Sequence, residues 1–292
     1  MRAIPGLLLA TLFFFASVAN ARVCQYRVEK VSHGRLVANL FLPDVTHKVP
    51  VVIAVGGSEG GLSTGNANGE MMAPRCLAVL GLAYFREKGL PPTLDHIPLE
   101  YFVEAINFLE SVPAIDASRI GLVGGSRGAE LALQLASREP RIRSLVATTP
   151  SSVAWYGLTT ASSAWTLEGQ DIPALSLALD DKAPLVERFA AALTDKDKVR
   201  NAMPSLERIN GPILLVSAEN DDVWPSYAMS QDIMAYLNAH SFIHPVTHRS
   251  YPTRHGFSQA TAPEIKQLII DHFINSLAPS PIVSQGNDSG LP

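Results

Sequence analysis

The amino-acid sequence predicts an α/β fold in which a mostly parallel central sheet is covered by helices on both faces and carries a small cap insertion. Three observations predict it. Ile120 to Val123 is an apolar run of the kind buried in parallel sheets, and it passes through Gly124-Gly125-Ser126-Arg127-Gly128 into Ala129 to Ala136, whose apolar residues recur at helical spacing. Val51 to Val55 is a second continuous apolar run, followed at once by the glycine-rich Gly56-Gly57-Ser58-Glu59-Gly60-Gly61. Over most of the remaining chain, strand-like and helix-like segments alternate with short links, the pattern of a parallel sheet.

Composition sets the outer bounds. The 292 residues are 47% hydrophobic and 17% charged, which suits one large domain with a substantial core. Net charge is -4, with no block of like charges, so the partner indicated is a small molecule rather than nucleic acid or an anionic membrane surface. Met1-Arg2, the apolar stretch Ile4 to Val18 and the small residues Ala19-Asn20-Ala21 predict a secretory signal peptide over residues 1–21, cut before Arg22. The competing reading is an uncleaved membrane anchor, against which Pro5, Gly6 and the small residues at the end of the run argue. Arg22-Val23 precede Cys24 where a lipidated cysteine would follow a small residue, so lipidation is not expected. The expected product is an exported protein, periplasmic or secreted, with no membrane attachment after cleavage. Its domain runs over 22–278 and a disordered tail over 279–292, rich in Pro, Ser, Gly and Asp. Cys24 and Cys76 are the only two cysteines; export permits a disulfide, while Cys76 reads equally well as a small buried apolar residue.

The elements follow in order. Tyr26 to Val31 and Arg35 to Leu42 read as strands joined by a turn at His33-Gly34, with Pro43-Asp44 ending the second. After the strand Val51 to Val55, the next strand is Leu77 to Phe85. Leu99, Phe102, Ile106 and Leu109 then mark the apolar face of a helix. Ile142 to Thr148 is a strand ending near Pro150-Ser151-Ser152. From about Ser152 to Ser205 the alternation stops. No strand stands out there, and the charged, helix-like Asp180 to Arg200 suggests a cap over the sheet edge. Alternation resumes with a strand at Ile213 to Ser217, a helix near Tyr227 to Leu237 and a strand at Thr247 to Tyr251. A last helix runs from Pro263 to Leu277, with Pro263 at its start.

The candidate chemistry lies where strands end. Gly124-Gly125-Ser126-Arg127-Gly128 is a G-x-S-x-G turn between a strand and a helix, the nucleophile elbow of α/β-hydrolase folds. Such a turn holds the Ser126 hydroxyl above the sheet, and the tightness of the fold-back requires glycine on either side. The amide of Arg127, at a helix start, is expected to donate to an oxyanion; the second donor is sought in the glycine loop, at the amide of Ser58. That loop lacks the G-K-[ST] of a P-loop and the G-x-G-x-x-G of a dinucleotide site. A serine needs a base, and the base an orienting acid, in the chain order Ser, Asp or Glu, His. Asp221, in Glu219-Asn220-Asp221-Asp222 after a late strand, and His255, after the last strand, fit that order, with Asp222 the rival acid and Glu219 third. The side chain of Arg127 is expected at the surface, an anion contact being the alternative, and Glu130 either as a helix N-terminal charge or in a buried network. His240, His244 and His248 are not read as metal ligands, because Pro245 breaks any helix through them. No metal or organic cofactor is required by this chemistry.

These residues resemble a known family, the C-terminal catalytic domain of acyl-CoA thioester hydrolases and bile acid-CoA:amino acid N-acyltransferases. The resemblance spans about Arg35 to Ser276. It rests on the loop from Gly56 to Leu62, Leu82-Ala83-Tyr84-Phe85, Leu99-Glu100-Tyr101-Phe102, the elbow from Gly124 to Leu131 and Asp221-Asp222-Val223-Trp224-Pro225-Ser226. It implies the α/β-hydrolase fold, with nucleophile, acid and base at Ser126, Asp221 and His255. The amino-acid-conjugating members carry cysteine at the position of Ser126, so the hydrolase branch is the nearer one. Too few residues precede Val51 for the β-sandwich domain of the animal enzymes. The expected leader also places the chain away from coenzyme A. The function expected is hydrolysis of a small acyl ester or thioester through an acyl-enzyme. An acyltransferase or peptidase on the same scaffold, or a non-catalytic binding protein, is the alternative.

Overall fold

A computed structural model describes residues 23–159, 162–177 and 182–279. The leader expected over 1–21, and the expected tail beyond Pro279, lie outside the described residues.

The chain enters through β1 (Tyr26–Lys30) and β2 (Val37–Pro43), then crosses to β3 (Val49–Val55), α1 (Ser63–Met72) and β4 (Ala78–Ala83). A two-residue strand β5 (Ile97–Pro98) precedes α2 (Glu100–Ser111), β6 (Ile115–Gly125), α3 (Arg127–Ala136) and β7 (Ile142–Thr148). The cap holds β8 (Trp165–Leu167), β9 (Gln170–Asp171), α4 (Leu185–Ala192) and α5 (Lys196–Ala202). β10 (Ile213–Ala218), α6 (Ser226–Ala239), β11 (Val246–Tyr251) and α7 (Ala262–Ser276) complete the domain.

The main sheet has eight strands in the order β1-β2-β4-β3-β6-β7-β10-β11. The six from β4 to β11 run parallel, and β2 is antiparallel to both β1 and β4. This is the α/β-hydrolase arrangement that the alternation predicts. Parallel strands must be covered on both faces, and the residues of β3 divide accordingly. Val51, Ile53 and Val55 join a core with α2, α3 and α6, while Val52 and Ala54 join a second core with α1 and α7. All parallel strands therefore point their carboxyl ends to one edge, where Gly56, Ser126, Asp221 and His255 follow β3, β6, β10 and β11.

Two features depart from expectation. α1 has no counterpart in the sequence reading, because its ten residues include two glycines and few apolar side chains. The glycines are what seat it. A Cβ on Gly65 would lie 2.7 Å from the Cα of Gly81 in β4, and one on Gly69 would run into the ring of Phe41. The cap also contains strands where none was expected: β8 and β9 join β5 in a three-stranded sheet. Their three and two residues are too short to show a periodicity. The charged stretch from 182 to Arg200 does form helices, α4 and α5.

Cys24 and Cys76 are joined in a disulfide with Cα atoms 5.3 Å apart. The Cys24 amide also donates to the carbonyl of Pro74 at 2.8 Å. The bond fastens the start of the described chain to the turn before β4, which settles the choice between a disulfide and a free buried thiol.

Candidate active site

β6 ends in Gly124-Gly125 and α3 begins at Arg127, so Ser126 alone carries the reversal. Its backbone has φ 55° and ψ -125°, a sparsely populated conformation costing on the order of 1–3 kcal/mol. The Ser126 amide donates to the Thr148 carbonyl at 2.9 Å, and its carbonyl accepts from the amides of Ala129 and Glu130. The flanking glycines are required by contact. A Cβ on Gly124 would meet the carbonyl of Gly128, and one on Gly128 would meet the carbonyl of Gly56.

The structure brings Ser126, His255 and Asp221 into one hydrogen-bonded chain. Ser126 Oγ lies 2.9 Å from His255 Nε2, and His255 Nδ1 lies 2.9 Å from both carboxylate oxygens of Asp221. Asp221 is buried and held from behind. Its Oδ1 accepts from the amides of Val223 and Trp224 at 3.0 and 3.2 Å, and its Oδ2 accepts from Ser226 Oγ at 2.5 Å. With one carboxylate fixed on Nδ1, the ring presents Nε2 to the serine. The indole of Trp224 meets the imidazole edge to face at 5.6 Å. Asp222 turns elsewhere: it accepts from the His255 backbone amide at 3.2 Å and pairs with Arg254 at 3.1 Å. Glu219 accepts from Ser250 and takes no part.

Ser58 borders the same cleft as Ser126. Glu59 Oε1 accepts from the Gly57 amide at 3.0 Å and from Thr64 Oγ1 at 2.6 Å, and the buried Tyr84 hydroxyl donates to the Gly56 carbonyl at 2.8 Å. Burial raises the Tyr84 pKa, so the phenol keeps the proton it donates. Among the described residues, nothing accepts the amide protons of Ser58 or Arg127.

The cleft, open to solvent on one side, measures about 220 Å³ and is chiefly apolar: Trp155, Leu175, Leu177, Phe189, Val223 and Trp224 line it, with Leu158 and Leu185 exposed at its rim. The expected surface position of Arg127 is corrected here, because its side chain is 5% exposed. It pairs with Glu130 at 2.9 Å and donates to the carbonyl of Tyr156 at 2.9 Å. Glu130 is the buried network member of the two expected alternatives. It accepts from the Trp155 amide at 2.9 Å and the Trp165 indole at 2.6 Å. Burial pushes its pKa up and the Arg127 guanidinium opposes the rise. A guanidinium at the start of α3 is otherwise unfavourable, so the buried carboxylate and the cap carbonyls explain why it turns inward.

Trp155, Trp165, Phe189 and Ser226 had no prior assignment. Ser226 follows Pro225 at the start of α6, and its hydroxyl turns back to Asp221 instead of capping the helix. The other histidines are scattered. His248 bonds Ser217 at 2.7 Å, His240 stacks on Tyr236, and His244 meets Phe242. His96 pairs with Asp171 at 3.2 Å, and burial lowers His272, which bonds Ser144, to about 4. Among the described residues no group of three His, Cys, Asp or Glu side chains is arranged to hold a metal ion.

Comparison with known proteins finds chains of similar sequence and similar fold. A family model described as "BAAT / Acyl-CoA thioester hydrolase C terminal" matches residues 97–257. Human acyl-coenzyme A thioesterase 1 is 32% identical over 216 residues, covering 73% of this chain and 50% of that protein. Mouse acyl-coenzyme A amino acid N-acyltransferase 2 is 34% identical over 220 residues, with 73% and 50% covered. The chain thus spans about half the length of the curated relatives it matches. Among solved structures, a puromycin-hydrolyzing peptidase of Mycobacterium tuberculosis superposes with a TM-score of 0.63 at 16% identity, covering 91% of this chain and 41% of that one. An acylaminoacyl peptidase of Pyrococcus horikoshii gives 0.59 at 14% identity, with 92% and 43% covered. At such identities these two speak for the fold alone.

Proposed function

The chain belongs to the BAAT / acyl-CoA thioester hydrolase C-terminal family, and from that membership we propose that it is a serine hydrolase of small acyl esters or thioesters, with Ser126 as nucleophile, His255 as base and Asp221 as orienting acid. The observation that carries this reading is the hydrogen-bonded chain from Ser126 through His255 to Asp221, opening on an apolar cleft.

In the first step Ser126 Oγ attacks the substrate carbonyl while its proton passes to His255 Nε2, and Asp221 stabilises the imidazolium through Nδ1. The amides of Arg127 and Ser58 receive the oxyanion; a single such donor is worth about 3–4 kcal/mol. As the intermediate collapses, the bond from acyl carbon to the leaving oxygen or sulfur breaks, and His255 returns its proton to that atom. Water then gives a proton to His255 and attacks the acyl-enzyme, and Ser126 leaves with the proton restored. Every nucleophile and proton in this scheme comes from side chains or water.

Export is the second part of the proposal. The leader over 1–21 motivates it, and the Cys24–Cys76 disulfide supports it, because such bonds persist in oxidising compartments. The relatives' names favour a coenzyme A thioester, while export favours an ester.

The test is turnover of p-nitrophenyl esters and acyl-CoA thioesters by the protein and by Ser126→Ala. The variant is expected to lose about 10⁴-fold or more in kcat, and to lose labelling by a fluorophosphonate. Undiminished turnover in Ser126→Ala would sink the assignment. Acyl transfer to an added amine in preference to water would make the protein an acyltransferase.

A further inference from the structure

We infer that Phe189 sets the depth of the acyl-binding cleft, so that the substrate class is esters or thioesters of uncharged acyl groups of short to medium length; this rests on the assignment of Ser126 as nucleophile.

The inference begins with the cleft walls. Trp155 and Trp224 are both buried and both pinned by their indole N–H groups, Trp155 to Ser151 Oγ at 2.7 Å and Trp224 to the Thr149 carbonyl at 3.1 Å. Phe189, from α4 of the cap, stands edge to face against both, with ring centroids 4.6 Å from Trp155 and 5.5 Å from Trp224. The three rings form one apolar cluster with Val153, Leu175 and Met229. Trp224 also touches the His255 ring, so this aromatic wall begins at the reacting atoms and ends in the cap. The tryptophans are tied to the main domain; the phenylalanine has no polar tether and fills the gap between them. It is the side chain whose size decides how far the cleft extends.

Volume and charge define what fits. The cleft measures about 220 Å³ and is shared by the acyl group and the reacting atoms at Ser126, which leaves room for an acyl group of short to medium length. It is smaller than the ~300–1,000 Å³ typical of sites for larger ligands. The charged side chain at its border, Arg127, is neutralised by Glu130, so the lining asks for an uncharged chain. Each methylene that enters such a lining gains about fourfold in binding, until the chain meets the Phe189 ring.

The test is a chain-length series of p-nitrophenyl esters from acetyl to hexadecanoyl, measured as kcat/KM for the protein, Phe189→Ala and the milder Phe189→Leu, with thermal unfolding recorded for each. The protein is expected to gain up to about octanoyl and then fall at least about tenfold by dodecanoyl. In Phe189→Ala the dodecanoyl-to-hexanoyl ratio is expected to rise at least about tenfold, with Phe189→Leu between the two. If Phe189→Ala does not fold, the wild-type profile and Phe189→Leu decide. A flat profile to hexadecanoyl, or ratios unmoved by either substitution, overturns the inference and routes the chain out over Leu158 and Leu185. No turnover of any ester or acyl-CoA that depends on Ser126 would instead overturn the underlying assignment.

Discussion

Asp221 and Asp222 are adjacent, acidic and both bonded to His255, and only their geometry separates them. Asp221 meets the ring nitrogen and is itself held by two amides and the Ser226 hydroxyl, whereas Asp222 meets the backbone amide and faces Arg254. Replacing the first removes the proposed orienting acid, the carboxylate bonded to the ring of His255; replacing the second removes one brace of the loop. Asp221→Asn is therefore expected to lower kcat by about 10⁴-fold, and Asp222→Asn by no more than about tenfold, the size of one exposed contact. Steady-state kinetics of the two variants on one active ester check this. Comparable losses would mean that the carboxylates share the orienting role.

At the scale of elements, the link between α3 and the cap carries the next expectation. Arg127 and Glu130 sit on one turn of α3 and reach the carbonyl of Tyr156, the amide of Trp155 and the indole of Trp165. The helix that follows Ser126, the proposed nucleophile, thus holds two walls of the cleft through one buried ion pair. Glu130→Gln keeps the acceptor for Trp165 but leaves the guanidinium buried without its counter-ion, a change costing about 3–5 kcal/mol. Urea unfolding of Glu130→Gln checks the loss, and Arg127→Met/Glu130→Leu is expected to recover much of it. This link also marks where sequence reading stops. The strands and helices that build the sheet were legible because burial on both faces writes continuous apolar runs, and the meeting of Ser126, Asp221 and His255 at one sheet edge because chain order ties each to the end of a strand. α1 was not legible, since its glycines serve close contact with Gly81 and Phe41 and weaken every local helix signal. The inward turn of Arg127 was not legible either. An arginine in a first helical turn reads as solvated unless the carboxylate and carbonyls that receive it are known, and the carbonyls, of Trp155 and Tyr156, come from the cap, whose short strands carry no period.

For the molecule as a whole, the parallel strands give its two ends separate roles. Their carboxyl ends carry Ser126, Asp221 and His255; the disulfide lies at the other end, where Cys76 precedes β4 and Cys24 closes a loop across 52 positions. Closing a loop of that length restricts the unfolded chain by about 4 kcal/mol in the chain-entropy treatment, with 2–4 the usual yield. Reduction, or Cys24→Ser/Cys76→Ser, is therefore expected to lower the unfolding free energy by about that amount while leaving kcat/KM on a given ester unchanged, because neither cysteine lines the cleft. Urea unfolding with and without reductant, paired with ester kinetics, makes the comparison. The same bond reports on compartment. Protein produced with its leader in an exporting host is expected to begin at Arg22 and to yield one Cys24–Cys76 cross-linked peptide on mass mapping. A chain recovered with residues 1–21 attached and both thiols free would count against export and restore a coenzyme A thioester as the first substrate to consider.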